Sequence, residues 1–172
     1  MKAEKIPVLI NLLAMARYHQ MPDYPMQMMM QGRLTFHDSQ TFDLQYAECI
    51  EDEDTGENVT SDVVLTAGNG RLTMIRSGVV LNTMVFVRNQ RFEGVYRTPY
   101  GEMNMAVDTR EFSCRVTPER GEIHLKYLLY FDGSYASTNE LHMEFFAESA
   151  VNENPRGETT ENTEENDENP AE

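Results

Sequence analysis

Apolar and polar side chains alternate along most of this chain, and this alternation limits the fold more than any other feature of the sequence. Successive side chains of a β-strand point to opposite faces, so a period of two is typical of strands that bury one face. The longest row comprises Ile123, Leu125, Tyr127, Leu129 and Phe131. Shorter rows with the same period occupy residues 42–46, 72–74, 103–107, 112–116 and 141–145. The pattern therefore predicts an all-β protein.

Short turn sequences separate these rows at fairly even intervals. Short connections favour antiparallel hairpins, whereas parallel neighbours need crossovers of a dozen or more residues. No convincing helical period follows residue 20. Because a sheet with many strands must protect its edges, we predict that the strands close into an antiparallel barrel. The turn sequences are Asp54-Thr55-Gly56, Gly68-Asn69-Gly70, Asn89-Gln90, Pro99-Tyr100-Gly101, Pro118-Glu119-Arg120-Gly121 and Asp132-Gly133-Ser134.

Residues 148–172 differ in composition from the rest of the chain. They carry nine acidic residues against one base, and almost no large apolar side chain follows Val151. Such a segment cannot bury enough apolar surface to offset the entropy lost on ordering. We therefore predict a single barrel domain over residues 1–147 and a disordered acidic tail over residues 148–172, for which solubility is the simplest role.

The charge of the chain argues against two classes of partner. The sequence has 29 acidic and 14 basic residues, which gives a net charge of −15. Nucleic acids and anionic membrane surfaces are bound through clusters of lysine and arginine, and this sequence has none. We therefore expect no nucleic-acid partner and no membrane partner, and consider instead a small-molecule ligand or a protein partner.

The two cysteines bear on the compartment. Cys49 and Cys114 fit neither a metal-binding spacing nor a CxxC redox motif. A small secreted domain that depends on disulfides usually carries more cysteines than this. Free thiols indicate a reducing compartment, so the cytoplasm is the predicted location.

Residues 6–16 form an apolar run whose structure the composition leaves open. Lys2 and Lys5 precede the run and Ala14-Met15-Ala16 ends it, as in a signal peptide, but Glu4 interrupts the charged region. The run is too short for a membrane span, which needs about 20 residues. Its apolar residues also fit a helical period. Signal peptide, helix and strand are therefore all compatible with these residues.

Several motifs occur in an order that resembles a known family. They are Arg76 and Gly78, the corner Tyr96, Thr98, Tyr100 and Gly101, then Thr109, and Gly121, Ile123, Leu125 and Tyr127. In order and spacing, this set is similar to the YwiB-like family of bacterial domains of unknown function, over residues 6–146. The resemblance implies a lipocalin-like, or calycin-type, closed barrel of about eight to ten antiparallel strands that begins with residues 6–16. It implies no established reaction.

The search for catalytic and cofactor motifs is negative. The chain has no GxGxxG, P-loop, GxSxG or HExxH sequence, and no nucleophile–base or acid–base pair can be assigned. His124 and His142 lie in the polar phase of their rows and should face solvent. Two neighbouring strands could bring them together as a metal pair, but no third ligand is evident. We therefore expect a protein that is not an enzyme and has no cofactor and no metal.

Two charged residues that continue apolar rows form the candidate site. Glu48 is next in phase after residues 42–46, and Arg76 likewise continues the apolar row before it. If both rows face the interior, these two charges enter it and must be paired there. Arg76 could hold the carboxylate of a ligand, with Tyr96 or Tyr127 adding a hydroxyl. A structural Glu48–Arg76 ion pair between two strands is the favoured interpretation.

Two functions remain open from the sequence. In the first, the barrel is non-catalytic and binds a small apolar or acidic ligand inside, with methionines as an adaptable lining. In the alternative, the barrel is filled and serves as a structural or protein-interaction module. A barrel of about eight strands can be filled by its own side chains or hold one small ligand. A cavity above about 300 Å³ would support the first function, and a filled barrel with Arg76 paired to Glu48 would support the second.

Overall fold

The protein is built from β-strands that follow one another directly along the chain. The structure is a computed structural model and describes residues 3–51 and 54–152. Its elements are β1 (Lys5–Tyr18), β2 (Tyr24–Phe36), β3 (Phe42–Glu51), β4 (Asn58–Gly68), β5 (Arg71–Gly78), β6 (Asn82–Val87), β7 (Arg91–Thr98), β8 (Gly101–Val116), β9 (Arg120–Phe131), β10 (Ser134–Ala147) and α1 (Glu148–Asn152).

The ten strands form one antiparallel sheet that curls into a nearly closed barrel. The strand order is β6-β5-β4-β3-β2-β1-β10-β9-β8-β7, so β6 and β7 are the two ends of the sheet. These two end strands are consecutive in the chain. They meet where Leu81, just before β6, and Arg97 of β7 exchange two backbone hydrogen bonds of 3.0 Å. The predicted all-β antiparallel barrel is therefore confirmed.

Tight turns set the register of the hairpins. Asn69 and Gly70 have φ angles of 54° and 74°, and they form a two-residue loop between β4 and β5. Asp132 and Gly133, with φ angles of 48° and 80°, connect β9 to β10 in the same way. Two residues with positive φ match the twist of the strands they connect, which explains the Asn-Gly and Asp-Gly sequences.

The first apolar run forms β1, the strand implied by the family resemblance. It pairs with β2 on one side and with β10 on the other, so it closes the sheet between the first and last parts of the domain. Val8, Ile10 and Leu12 of β1 point into the core, whereas Leu13 of the same strand faces outward. Among the described residues, no helix is long and apolar enough to cross a membrane.

Large side chains fill one part of the barrel interior completely. Phe86 and Phe145 have no exposed surface, and they lie among aliphatic residues from most of the strands. Gly121 is opposite Phe145 in the β9–β10 register, and a Cβ atom there would lie 2.1 Å from the Phe145 ring. The missing side chain of Gly121 is therefore what gives the Phe145 ring its place in the core.

The structure differs from the sequence prediction where the barrel ends. β10 ends at Ala147, and Glu148–Asn152, which was predicted to be disordered, forms the short helix α1. A helix of five residues is too short to show a helical period, and its acidic first residue suits the positive end of the helix dipole. The rest of the predicted acidic tail, residues 153–172, lies outside the described residues.

Candidate functional site

A cavity of about 400 Å³ occupies the other part of the barrel interior. Its wall includes all four residues that the sequence singled out, Glu48, Arg76, Tyr96 and Tyr127. The exposed side chain of Tyr24 also borders it, so the cavity reaches the surface near the β1–β2 connection. Four residues from four strands therefore converge on one cavity that opens to the surface.

Glu48 and Arg76 form an ion pair on the wall of this cavity. Each continues the inward-facing phase of its strand, because the residues two before it, Tyr46 and Met74, are buried in the core. Nε of Arg76 donates to Oε2 of Glu48 at 3.1 Å, and Nη2 donates to Oε1 at 3.2 Å. The side chain of Glu48 is only 8% exposed and that of Arg76 is 23% exposed. The pair suggested by the sequence is thus present, with both carboxylate oxygens engaged.

The two charges of this pair stabilise each other. Burial by itself would lower the pKa of Arg76, but the nearby charge of Glu48 and its hydrogen bonds outweigh that effect, so the pKa of Arg76 is raised. The guanidinium therefore stays protonated inside the barrel. Two of its five N–H groups donate to Glu48, and the Glu48 carboxylate balances its charge, so Arg76 attracts an acidic ligand only weakly.

The two tyrosines are fixed by contacts with other aromatic rings. The Tyr127 ring lies 4.9 Å from that of Phe86, and the Tyr96 ring lies 5.4 Å from that of Phe131 in an edge-on arrangement. Such tilted contacts are favourable between aromatic side chains and hold the rings in position. The hydroxyl-bearing residues that the sequence proposed as hydrogen-bonding groups therefore belong to the rigid wall of the cavity.

Besides a ring nitrogen of His142, three polar side-chain atoms are buried without a hydrogen-bond partner in the described part of the chain. They are Oδ1 of Asn82, the hydroxyl of Tyr46 and Oγ1 of Thr109. Asn82 borders the cavity and lies directly opposite Arg76 in the β5–β6 register. Asn82 was not predicted as a site residue, although extending the buried row of Met84 and Phe86 back by two residues reaches it. Unpaired buried polar atoms cost free energy, which makes this part of the interior unlike the apolar core.

Methionines supply much of the apolar lining. Met74, Met84 and Met105 border the cavity and are almost fully buried, whereas Met26 borders it close to the surface. Met143, in contrast, is fully buried in the filled core and does not border the cavity. Flexible thioether side chains can repack around ligands of different shapes, so the cavity wall is adaptable on this side.

Two tyrosines of the barrel interior, Tyr46 and Tyr127, should make the fold sensitive to alkaline pH. Burial raises the pKa of Tyr127 to about 12, with smaller opposing contributions from Arg76 and Glu48. Burial also raises the pKa of Tyr46. An unfolded tyrosine ionises near pH ~10, so the folded state gains stability from these groups below that pH and loses it as the pH rises through the folded pKa. We expect the free energy of unfolding to fall between about pH 10 and pH 12.

A substitution at Tyr127 tests whether this loss of stability at alkaline pH comes from the cavity wall. Tyr127→Phe should reduce the fall in unfolding free energy above about pH 10, measured by urea titration at several pH values. Tyr100→Phe is the control, because Tyr100 is fully exposed in the β7–β8 turn. The same alkaline loss in wild type and Tyr127→Phe would contradict the assignment.

The histidine pair considered from the sequence lies on the outer surface of the barrel, and neither ring borders the cavity. His124 and His142 are directly opposite each other in the β9–β10 register, with ring centroids 6.2 Å apart. Carboxylates lie beside each ring, Glu140 near His124 and Glu122 near His142. The strands thus bring the two histidines together and add carboxylates that the sequence order did not reveal.

The fold and the site define a class of protein: a nearly closed, ten-stranded antiparallel β-barrel with an interior cavity and a buried ion pair on its wall. The chain belongs to the family described as "Domain of unknown function (DUF1934)", whose family model matches residues 15–143. No match is found among curated proteins.

One solved structure shares the barrel fold. The crystal structure of the ywiB protein from Bacillus subtilis matches with a TM-score of 0.68 and 14% sequence identity, covering 83% of this chain and 92% of that chain. At this identity the match shows a shared fold, and with the family model it confirms a YwiB-like domain. A structural-genomics protein of unknown function from Bacteroides ovatus matches at 10% identity with a TM-score of 0.38, covering 85% of this chain and 42% of that chain, and carries no argument.

Proposed function

We propose that this protein is a non-catalytic, lipocalin-like barrel that binds a small, mostly apolar molecule in its interior cavity. The observation that carries the proposal is the cavity itself, whose volume of about 400 Å³ lies within the usual range of ligand pockets. Methionine and aromatic side chains make up much of its wall, with a few polar groups that could orient a ligand. A barrel filled by its own side chains would not leave this space.

The ion pair argues for an uncharged ligand over an acidic one. A carboxylate that approached Arg76 would also approach Glu48, whose oxygens lie 3.1 and 3.2 Å from the guanidinium nitrogens. Repulsion from that carboxylate would offset the attraction of the guanidinium. Arg76 is paired with Glu48, as the structural alternative requires, whereas the cavity has the volume that ligand binding requires. The proposal therefore rests on the cavity and not on the ion pair.

The free thiols support a cytoplasmic location as part of the same proposal. Cys49 is exposed and Cys114 is half-buried, and neither is in a disulfide. Burial raises the pKa of Cys114 to about 11, which keeps this thiol protonated and unreactive. An exposed free thiol such as Cys49 persists most readily in a reducing compartment.

Dye binding tests the proposal. Nile red is uncharged and apolar, and 1-anilinonaphthalene-8-sulfonate is an apolar dye with an acidic group, so the two probes separate the two ligand classes. We expect saturable fluorescence enhancement by wild-type protein with Nile red and weaker binding of the sulfonate. Ala14→Phe, which adds a ring to the cavity wall, should weaken Nile red binding by roughly tenfold or more.

The neighbouring residue provides a matched control. Leu13 is on the same strand but faces outward and is 46% exposed, so Leu13→Phe adds a ring outside the barrel. This variant should bind Nile red as wild type does, and both variants should keep the wild-type melting temperature within a few degrees. Equal Nile red binding by all three proteins would show that the dye does not bind in the cavity. That result would favour a structural or protein-interaction role.

A further inference from the structure

The outer surface of β9 and β10 carries a cluster of one histidine and two glutamates that are far apart in the sequence. Glu122 of β9 and Glu144 of β10 are directly opposite each other, and His142 lies two residues before Glu144 on the same face. The three side chains offer ligand atoms that all lie within 4.8 Å of one another. We name these residues, Glu122, His142 and Glu144, the outer cluster.

Nε2 of His142 is the centre of the outer cluster. It lies 3.1 Å from Oε1 of Glu122 and 3.6 Å from Oε1 of Glu144. Nevertheless Nε2 is buried from solvent and has no hydrogen-bond partner with acceptable geometry among the described residues. A buried ring nitrogen close to two carboxylate oxygens but hydrogen-bonded to neither is an unsatisfied group, and such groups call for a cause.

No side chain of the neighbouring strands β8 and β1 forms an ion pair with either carboxylate of the outer cluster in the described structure. Two carboxylates placed directly opposite each other in a sheet repel and destabilise it. On β8, Arg115 lies opposite Glu122 in register but forms no ion pair with it in the described structure, while Glu144 faces the uncharged Asn11 of β1. On the other side of the ring, His124 has its own carboxylate, Glu140, at 3.1 Å. A cation between Glu122 and Glu144 would remove the repulsion.

We propose that the outer cluster binds one divalent transition-metal ion of the zinc type through Nε2 of His142 and one carboxylate oxygen each from Glu122 and Glu144. At metal–ligand bonds of about 2.1 Å, separations of 3.1 and 3.6 Å correspond to ligand–metal–ligand angles of about 95° and about 118°. Both values fall in the range between octahedral and tetrahedral coordination. The half-exposed glutamates can adjust to close the third angle, and water completes the coordination shell.

The ligand set also predicts which metals bind. Imidazole with carboxylates suits Zn²⁺, Co²⁺ and Ni²⁺, whereas Mg²⁺ and Ca²⁺ prefer oxygen ligands alone. The outer cluster lies on a different surface from the cavity, so the metal proposal does not depend on the proposed ligand binding. Either proposal can therefore fail without the other.

Isothermal titration calorimetry of chelator-stripped full-length protein tests the site, with ZnCl₂ and MgCl₂ as titrants. We expect saturable binding of one Zn²⁺ per chain at neutral pH and no comparable binding of Mg²⁺. His142→Ala and Glu122→Gln should each weaken Zn²⁺ binding by roughly tenfold or more. His37→Ala is the matched control, because His37 has one carboxylate partner, Asp43 at 2.7 Å, and the pair is not part of the outer cluster.

The acidic residues beyond the described part of the chain are common to all variants, so differences between variants report on the outer cluster. Side-chain nitrogen NMR spectra add a direct readout, since Zn²⁺ should shift the Nε2 resonance of His142 and leave that of His37 in place. The absence of saturable Zn²⁺ binding in wild type would overturn the proposal. Equal Zn²⁺ affinity in wild type and His142→Ala, or an equal loss in His37→Ala and His142→Ala, would overturn it as well.

Discussion

Replacing Glu48 by alanine should lower the free energy of unfolding by about 3 kcal/mol, the lower end of the range for breaking a buried ion pair. The substitution leaves the Arg76 guanidinium inside the barrel without its only carboxylate partner in the described structure. Removing one partner is costly because the remaining charge keeps its desolvation penalty. We take the lower end because Arg76 borders the cavity and keeps 23% of its side chain exposed, so water can screen the charge in part.

Two comparisons isolate the effect of burial in urea denaturation experiments. The double variant Glu48→Leu/Arg76→Met removes both charges, and it should be far closer to wild type than Glu48→Ala, or more stable than wild type. Glu102→Ala breaks the Arg97–Glu102 pair, which has a shorter distance of 2.9 Å but side chains that are 58% and 63% exposed. That exposed pair should contribute less than about 1 kcal/mol. A Glu48→Ala cost no larger than that of Glu102→Ala would show that the interior pair is not buried in solution.

Much of the barrel could be predicted from the sequence because many of its features depend on one strand or one turn at a time. The direction of each side chain follows from the period of two, and the tight turns follow from pairs such as Asn69-Gly70 and Asp132-Gly133. β2 could not be read in this way, because methionine occupies both phases of the strand. Met29 is exposed while Met28 and Met30 pack against the core, and only the pairing of β2 with β1 decides between the two faces.

The candidate site was predictable to the extent that it depends on strand phase alone. The alternation within each strand was enough to place Glu48 and Arg76 in the interior, and in the structure they lie within hydrogen-bonding distance of each other. The position of Asn82 opposite Arg76 depends on the β5–β6 register, which the sequence does not show. The outer cluster has the same origin, because Glu122 reaches Glu144 only when β9 and β10 are aligned across their hairpin. Contacts between strands therefore mark the limit of prediction from sequence phase.

The second large effect on stability is expected at Gly121, where the backbone lies against the ring of Phe145. We expect Gly121→Ala to lower the free energy of unfolding by about 3 kcal/mol, the upper end of the range for overpacking a core. The new Cβ atom would lie 2.1, 2.3 and 2.7 Å from three carbons of the Phe145 ring, and that ring is fully buried. The backbone of Gly121 is not in the left-handed region, so replacing glycine should otherwise be neutral or gain up to about 1 kcal/mol through the unfolded state.

A double-mutant cycle separates the clash from other effects of the substitution. Phe145→Leu alone should destabilise the barrel because it leaves space in the filled core, but in Gly121→Ala/Phe145→Leu the new methyl group takes up part of that space. The double variant should therefore be clearly more stable than the two single costs would give together. Gly133→Ala serves as the control for backbone strain, since Gly133 has a φ angle of 80° and a Cβ there would contact nothing within 4 Å. Additive costs in the cycle would mean that the Phe145 ring is not what Gly121 accommodates, and the filled part of the core would then need a different packing from the one described.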